Sequence, residues 1–375
     1  MNDRMKAIAL TVHTTNLNVV DRPEPSITAP DEVKVRIIRT GICGTDREET
    51  SGGRARGPGD GVDLVIGHEM MGQVVQVGDQ VSRVKPGDYA VFTVRRGCGH
   101  CLPCEMNRSD MCRTGDYSER GIWGLDGYQT EYVVDKEQYV VRVPPELEPI
   151  GVLTEPTSVV EKALDEAVRL QVTRLPDAQA TPEWLFGRRC LVAGLGPIGL
   201  LGATALRLRG AEVYGLDIVD EDSPRPQWLK GIGGAYVDGR KIPGNNVRET
   251  LGPMDLILEA AGIALLDFNL LDTLALDGII ALTGIPGGDR PIQVDGAEII
   301  RALVLNNQVM IGSVNASRDH FQMAVEDLSN AHLLWGDHMT ELITNRFAYP
   351  NFRQALTGHG PDEIKVVIEW ANTGQ

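Results

Sequence analysis

A glycine motif in the middle of the chain limits its fold more than any other feature. Residues 194–199 read Gly-Leu-Gly-Pro-Ile-Gly, directly after the apolar run Cys190–Ala193 and before a helical pattern over 198–209. A buried strand, a tight glycine turn and a helix in this order predict the first unit of a doubly wound parallel sheet. Further apolar runs predict later strands of the same sheet, at 212–216, 256–260, 278–283 and 309–314.

The same glycines suit the binding of a dinucleotide. Gly194 allows the turn, Gly196 lets a pyrophosphate approach the backbone, and Gly199 permits close contact between helix and strand. Free N–H groups at the helix N-terminus would bind the phosphates. Asp217 ends the second strand, and a carboxylate there accepts hydrogen bonds from ribose hydroxyls and repels a 2′-phosphate. No Arg follows it immediately, so NAD is favoured and NADP stays possible. The alternative is a structural turn with a solvated Asp217. The expected loop residues are Gly194, Leu195, Gly196, Pro197, Ile198 and Gly199.

The first part of the chain is rich in predicted strands. Apolar residues that alternate with period two predict strands at 33–37, 71–77, 81–84 and 89–94, separated by short turns. This pattern is typical of a small barrel-like β-module. The loop Gly52–Gly61 has no apolar anchor, and we expect it to be mobile.

The pattern changes after this module. Helical periodicity over 155–170 and a polar connection over 171–186 precede the parallel sheet. The stretch 320–370 predicts a long helix, then short elements and a strand at 365–370, which we expect to return to the first module. The sequence therefore predicts an α/β chain of three segments: residues 1–158, 159–315 and 316–375.

Four cysteines lie within fifteen residues, in the pattern C-x2-C-x2-C-x7-C. Such a cluster in a chain with no sign of secretion favours metal binding over disulfides. Four thiolates suit a closed, tetrahedral zinc site that is structural. An iron–sulfur cluster is the alternative, but the ferredoxin pattern ends with x3 and Cys-Pro, whereas Arg113 follows the last cysteine here. The predicted ligands of this lobe, residues 98–112, are Cys98, Cys101, Cys104 and Cys112.

A second set of possible metal ligands precedes the lobe. Cys43 follows a strand in a turn, and His68 and Glu69 lie together before another strand. A catalytic zinc takes about three protein ligands and keeps a position open. Cys43 and His68 are the expected pair, and the third ligand is Glu69 or Glu155, which could exchange as substrate enters. The alternative for His68 is a histidine of the core.

Charge and hydropathy exclude several kinds of partner. The chain has a formal net charge of −16, which disfavours nucleic acid and anionic membranes. No apolar run approaches the roughly 20 residues of a membrane span, and the first residues lack the apolar core of a signal peptide. Unpaired thiolates fit a reducing, cytoplasmic location.

Taken together, these motifs resemble those of zinc-dependent medium-chain dehydrogenases. The resemblance covers essentially the whole chain and is greatest to the glucose 1-dehydrogenases of archaea and some bacteria. It implies a GroES-like catalytic domain beside a Rossmann coenzyme-binding domain. The segments that carry it are Gly41–Glu48, Arg95–Gly99, Glu119–Ile122, Glu155–Pro156 with Glu161–Ala163, and Gly312–Asn315.

This resemblance implies an activity and further site residues. The activity is oxidation of the C1 hydroxyl of an aldose to the aldonolactone, with hydride transfer to NAD(P). Two zinc ions per chain and a homo-oligomer, dimer or tetramer, are implied as well. Thr45 would lie near the reacting hydroxyl and could begin a proton relay. Sugar contacts would come from Glu119, Glu155 and Asn315, whose alternatives are a surface charge, a helix N-terminal carboxylate and a turn residue. Further coenzyme contacts would be Thr283, Gly284, Ile285, Ser313, Val314 and Asn315.

Other functions stay open at this point. Many glucose dehydrogenases carry Arg where this chain has Asp217, so coenzyme and sugar preference could differ. A zinc-dependent polyol or alcohol dehydrogenase would share the metals and the fold, although an enzyme for apolar alcohols would need an apolar pocket. A non-enzymatic zinc-ribbon module would leave Cys43 and His68 unexplained. A coenzyme-binding protein without activity is the third alternative.

Overall fold

In the computed structural model, which describes residues 4–180, 183–287, 291–357, 360 and 362–370, the chain forms two units. The first comprises the described residues of Met1–Ser158, Asn315–Leu333 and Met339–Gln375. The second comprises the described residues of Val159–Val314 and Leu334–His338. The ends of the sequence, 1–3 and 371–375, lie outside the described residues.

The described residues contain the following strands and helices. The strands are β1 (Arg4–Leu10), β2 (Leu17–Pro23), β3 (Glu32–Ile42), β4 (Leu64–Val65), β5 (Met70–Val77), β6 (Tyr89–Phe92), β7 (Arg95–Arg96), β8 (Ser118–Arg120), β9 (Gly124–Leu125), β10 (Tyr132–Lys136), β11 (Val140–Val143), β12 (Arg189–Ala193), β13 (Glu212–Asp217), β14 (Ala235–Asp238), β15 (Met254–Glu259), β16 (Leu274–Leu282), β17 (Val309–Gly312), β18 (Ile343–Ala348) and β19 (Lys365–Glu369). The α-helices are α1 (Gly44–Thr50), α2 (Leu102–Glu105), α3 (Thr154–Arg174), α4 (Pro176–Ala180), α5 (Pro197–Leu208), α6 (Pro224–Gly231), α7 (Val247–Leu251), α8 (Ala264–Leu270), α9 (Gly296–Leu305), α10 (Arg318–Trp335) and α11 (Phe352–Thr357).

The first unit is built around the long strand β3. Its sheet has seven strands in the order β11-β6-β5-β3-β19-β18, with β10 also paired to β3. Smaller sheets are formed by β2-β1-β4 and by β7-β8-β9. The last strand, β19, pairs antiparallel with β3, so that Val366 faces Ile42. This pairing brings β19 to the strand that leads into Cys43.

Two expectations for the first unit are wrong. Residues 81–84 have no regular secondary structure and bend at Arg83, instead of forming a strand. The reason is that the carboxylate of Glu137 accepts the N–H groups of Ser82 and Arg83, at 2.6 and 2.5 Å, so these groups are not available to a sheet. The loop Gly52–Gly61 does have an apolar anchor, because Ala55 is buried and the neighbouring Arg56 N–H bonds the Ile122 carbonyl at 3.1 Å.

The second unit confirms the doubly wound parallel sheet. Its six strands are all parallel, in the order β14-β13-β12-β15-β16-β17. The side chains of Cys190, Leu191 and Val192 on β12 are fully buried, as a central parallel strand requires. The order reverses between β12 and β15, and ligands bind at the carboxyl ends of strands beside such a reversal.

Within the described part of the chain, no helix combines the length and the apolar character needed to cross a membrane.

Candidate functional site

The four-cysteine lobe has the geometry of a metal site. The Sγ atoms of its cysteines all lie within 4.8 Å of one another, and none of the six cysteines, all in described positions, forms a disulfide. Gly97 leaves room for the sulfur of Cys104, which any side chain at position 97 would meet. Hydrogen bonds from Thr114 and from nearby backbone N–H groups lower the pKa of Cys98 to about 6, whereas burial raises the pKa of Cys104 to about 12. The donor set fits zinc.

A second group of ligand atoms lies in the same unit. The ligand atoms of Cys43, His68 and Glu69 lie within 4.8 Å of one another, and none of these side chains is fully exposed. Cys43 immediately precedes α1, and its backbone N–H donates to Asp46 Oδ2 at 2.7 Å. Gly67, with φ of 91°, turns the chain so that His68 and Glu69 follow directly before β5. Thiolate, imidazole and carboxylate in this arrangement fit a catalytic zinc.

A buried acid that the sequence interpretation did not assign lies beside His68. Asp46 is fully buried, and its Oδ1 lies 3.6 Å from His68 Nδ1. Burial opposes a charge on His68, but Asp46, Cys43 and Glu155 outweigh this effect and raise its pKa well above the usual range. Neither Asp46 Oδ1 nor His68 Nδ1 has a hydrogen-bond partner among the described residues, so Asp46 acts on His68 through its charge. Asp46 lies three residues after Cys43 in the sequence, and this short spacing could have indicated that it belongs to the site.

Glu69 is held by a lysine from the far end of the chain. Lys365 Nζ donates to Glu69 Oε1 at 2.5 Å, and the two side chains are 2% and 1% exposed. The carboxylate fills the space above Gly41, where no side chain would fit. The sequence interpretation missed Lys365, although a lone lysine at the start of an apolar strand is an unusual feature.

The two carboxylates left open as third ligand lie in different places. Glu69 is within the group of ligand atoms, and Glu155 is outside it. Glu155 is the second residue of α3. Burial raises the pKa of Glu155 to about 7; repulsion from Glu69 adds to this rise, whereas His68 and Lys365 oppose it. Thr45 is close by, with its Oγ1 3.9 Å from the Cys43 sulfur.

Two of the residues expected to contact sugar meet in the first unit. Asn315 Nδ2 donates to Glu119 Oε1 at 2.7 Å, and Arg95 Nε donates to the same oxygen at 3.1 Å. Glu119 is nearly buried, and Asn315 adopts a left-handed backbone with φ of 62°. Arg95 also donates to the carbonyl of Asp110 at 2.8 Å, which joins this polar group to the cysteine lobe.

The glycine loop of the second unit has the expected turn. Gly194 has φ of 88°, and a side chain there would meet Ala261, while one at Gly199 would meet the Gly194 carbonyl. Gly196 faces open space and precedes α5, whose first N–H groups have no side-chain cap. This leaves the helix N-terminus available to an anion.

Asp217 is tied to the loop and has a cation beside it. Its Oδ2 accepts the Leu195 N–H at 2.8 Å, and its Oδ1 accepts the Ile218 N–H at 2.6 Å. Arg225, on α6, lies 3.7 Å from Oδ2. No Arg follows Asp217 directly in sequence, but the fold brings one to it from the next helix.

The remaining expected coenzyme residues follow β16 and β17. Thr283 Oγ1 donates to the Glu259 carbonyl at 2.6 Å, and Ser313 N–H donates to the Leu282 carbonyl at 2.9 Å. The buried Lys162 donates to the Val314 carbonyl at 2.9 Å, a contact not expected from the sequence. Gly284 and Ile285 continue the loop after Thr283, and the Ile285 side chain is exposed.

A GroES-like unit with a zinc-type ligand group, together with a Rossmann-type sheet, defines a zinc-dependent dehydrogenase of the alcohol dehydrogenase type. Family models agree with this class. Residues 29–145 match the alcohol dehydrogenase GroES-like domain, and residues 148–370 match the glucose dehydrogenase C-terminus.

Individual relatives narrow the class further. The chain is 35% identical to a glucose 1-dehydrogenase of Methanocella arvoryzae, over 97% of this chain and 99% of that one. It is 36% identical to glucose 1-dehydrogenase 1 of Caldivirga maquilingensis, with 97% and 99% covered. The structure of Haloferax mediterranei glucose dehydrogenase in complex with NADP, Zn and gluconolactone matches with a TM-score of 0.87 at 32% identity, covering 98% of this chain and 100% of that one. The chain belongs to the glucose dehydrogenase family of zinc-dependent medium-chain dehydrogenases.

Proposed function

We propose that this protein is a zinc-dependent glucose 1-dehydrogenase, which oxidises the C1 hydroxyl of the sugar to the lactone and transfers hydride to NAD(P). The observation that carries the proposal is the ligand group of Cys43, His68 and Glu69, within a chain that is similar to glucose 1-dehydrogenases over nearly its full length. The polar residues Glu119 and Asn315 of the same unit support a polyhydroxylated substrate over an apolar alcohol.

The ligand group supplies the first part of the mechanism. A zinc ion held by Cys43, His68 and Glu69 would act as a Lewis acid toward the C1 hydroxyl and make loss of its proton easier. The carboxyl group of Asp46 lies beside the ring, 3.6 Å from His68 Nδ1. Thr45, whose hydroxyl lies beside the Cys43 sulfur, is placed to accept the sugar proton and pass it on. We propose a second, structural zinc in the cysteine lobe, which gives two per chain.

Glu119 and Asn315 supply selectivity for sugar. Both Asn315 and Arg95 donate to Oε1 of Glu119, and no described residue donates to its Oε2. This oxygen can therefore accept a hydrogen bond from a sugar hydroxyl. With a substrate that lacks this hydroxyl, Oε2 of the nearly buried carboxylate has no donor, and such a substrate binds less tightly.

For the coenzyme, we propose that NAD is preferred and that NADP is also accepted. The carboxylate of Asp217 favours ribose hydroxyls over a phosphate. Arg225 lies 3.7 Å from it and can offset part of the repulsion of a 2′-phosphate. The matched Haloferax enzyme contains NADP, which supports the second half of the proposal.

We also propose that the protein is a homo-oligomer in a reducing, cytoplasmic location. Its six free cysteines support the location. Exposed apolar side chains on α9, at Ile300, Val304 and Leu305, support association with another copy. Light scattering on a size-exclusion column would give the mass, and a monomer mass would contradict the oligomer.

The test of the proposed function is coenzyme reduction by purified, zinc-loaded protein. NAD and NADP are each paired with glucose, galactose, xylose, sorbitol and a simple alcohol. The proposal predicts the highest kcat/KM with glucose, and a higher value with NAD than with NADP. Activity with sorbitol or the alcohol alone would instead indicate a polyol or alcohol dehydrogenase.

A further inference from the structure

Two buried acids of the second unit face each other at a place that the proposed function leaves unexplained. Glu259 ends β15 and is fully buried, and Asp267 lies on α8 and is 6% exposed. Their carboxyl groups are within hydrogen-bonding reach of each other. Two ionised carboxylates at this separation in a buried site repel strongly, so the pair holds a proton.

Glu259 is the member of the pair that accepts hydrogen bonds from the backbone. Its Oε1 accepts the N–H groups of Ala261 and Gly262, both at 2.7 Å, and its Oε2 accepts the N–H of Gly284 at 3.2 Å. Three backbone donors stabilise the charged form of a carboxylate. The shared proton therefore belongs to Asp267.

These three donors come from two loops, one after β15 and one after β16. The loops touch each other, because a side chain at Gly262 would meet the Ile285 carbonyl and one at Gly284 would meet the Gly262 backbone. The backbone carbonyl of Glu259 also accepts the hydroxyl of Thr283 at 2.6 Å. Glu259 thus connects the loop after β15 to the loop after β16, which contains Thr283 and Gly284.

The proton of Asp267 is lost near neutral pH. Burial and the charge of Glu259 raise the pKa of Asp267 from its ordinary value to about 7, and its Oδ1 has no hydrogen-bond partner among the described residues. Two short turns pack against α8. The turn 244–246 has no titratable side chain, and the turn 271–273 has Asp272, which is exposed. Glu259 is therefore the charge that Asp267 faces.

We propose that Glu259 is a positioning residue for the coenzyme and that protonated Asp267 keeps it in place. When Asp267 loses its proton, two negative charges meet in the buried site, both loops loosen, and coenzyme binding weakens. The inference rests on the proposed function in one respect, which is that the loop carrying Thr283 and Gly284 contacts the coenzyme.

The test is the pH dependence of coenzyme affinity, measured by calorimetric titration of NAD into the zinc-loaded protein. In the wild type, we expect Kd to be constant at acidic pH and to rise by about tenfold in total between about pH 7 and about pH 9. In Asp267→Asn, the amide still donates to Glu259 but does not titrate, so Kd should stay constant over the same range. Asp272→Asn removes the same charge from an exposed position and should keep the wild-type profile.

A second readout does not need the coenzyme. In Glu259→Gln, hydrogen exchange at the amides of Ala261, Gly262 and Gly284 should be at least about tenfold faster than in the wild type at the same pH. A pH profile in Asp267→Asn equal to that of the wild type would overturn the inference, and so would unchanged exchange in Glu259→Gln. If NAD and NADP fail to bind at every pH, the proposed function is wrong, and the exchange result alone decides whether Glu259 positions the loops.

Discussion

The ion pair between Lys365 and Glu69 leads to a quantitative prediction. The atoms Nζ and Oε1 are 2.5 Å apart, and both side chains are almost completely buried. Lys365→Met keeps much of the side-chain volume and removes the charge, so Glu69 is left buried without its cation. Breaking a buried pair in this way costs about 3–5 kcal/mol of unfolding free energy. For a unit of roughly 200 residues, this corresponds to a Tm lower by about 6–20 °C.

The assay is thermal unfolding of zinc-free protein, because a bound cation could replace the lysine as partner of Glu69. Lys6→Met is the matched control in the same unit, since Lys6 pairs with Asp21 at 2.8 Å but both side chains are about half exposed. Its Tm should stay close to that of the wild type, because an exposed ion pair contributes little to stability. The double variant Lys365→Met with Glu69→Gln should recover most of the lost stability. A Tm loss in Lys365→Met no larger than in Lys6→Met would refute the reasoning.

Three further predictions concern metal, coenzyme and pH. Cys104→Ser should reduce the zinc content measured by mass spectrometry from two ions per chain to one, and two retained ions would contradict a four-thiolate site. Asp217→Ala should lower the ratio of kcat/KM for NAD to kcat/KM for NADP by about tenfold or more, which corresponds to the loss of roughly one hydrogen bond to a charged group. An unchanged ratio would show that Asp217 does not select the coenzyme. Glu49 is almost fully buried, and burial together with repulsion from Asp46 raises its pKa from 4.5 to about 8. The folded state therefore favours the protonated form, and the stability that this proton provides is present below about pH 4.5 and is lost as the pH rises to about 8. Glu49→Gln should therefore unfold at a higher temperature than the wild type at pH 8 and at a similar temperature near pH 4.5. If the Tm values of the two proteins change in parallel with pH, the prediction for Glu49 is wrong.

Features that depend on neighbouring residues could be predicted from the sequence. The strand at 190–193, the glycine turn and the following helix are adjacent in the chain, and their apolar pattern and glycines specify them locally. The cysteine lobe is also local, because its four ligands lie within fifteen residues. For these parts of the chain, the spacing of residues in the sequence is enough to predict which residues come together.

Contacts between distant residues could not be predicted in this way. Lys365 reaches Glu69 across 296 positions only because β19 pairs with β3, and strand pairing over such a distance leaves no periodic signal. The failure at residues 81–84 has a similar cause, since the alternation is present but Glu137, more than fifty residues away, binds the backbone instead. Sequence pattern identifies apolar faces, and tertiary structure decides which polar groups meet.

The central claim of this account is that hydride leaves C1 of the sugar. It is tested most directly with glucose that carries deuterium at C1, zinc-loaded protein and oxidised coenzyme, followed by mass spectrometry of both products. The account predicts one deuterium in the reduced coenzyme and none in the gluconolactone or its hydrolysis product. Unlabelled reduced coenzyme, with the deuterium kept in the sugar, would show that oxidation occurs at another carbon and would contradict the claim.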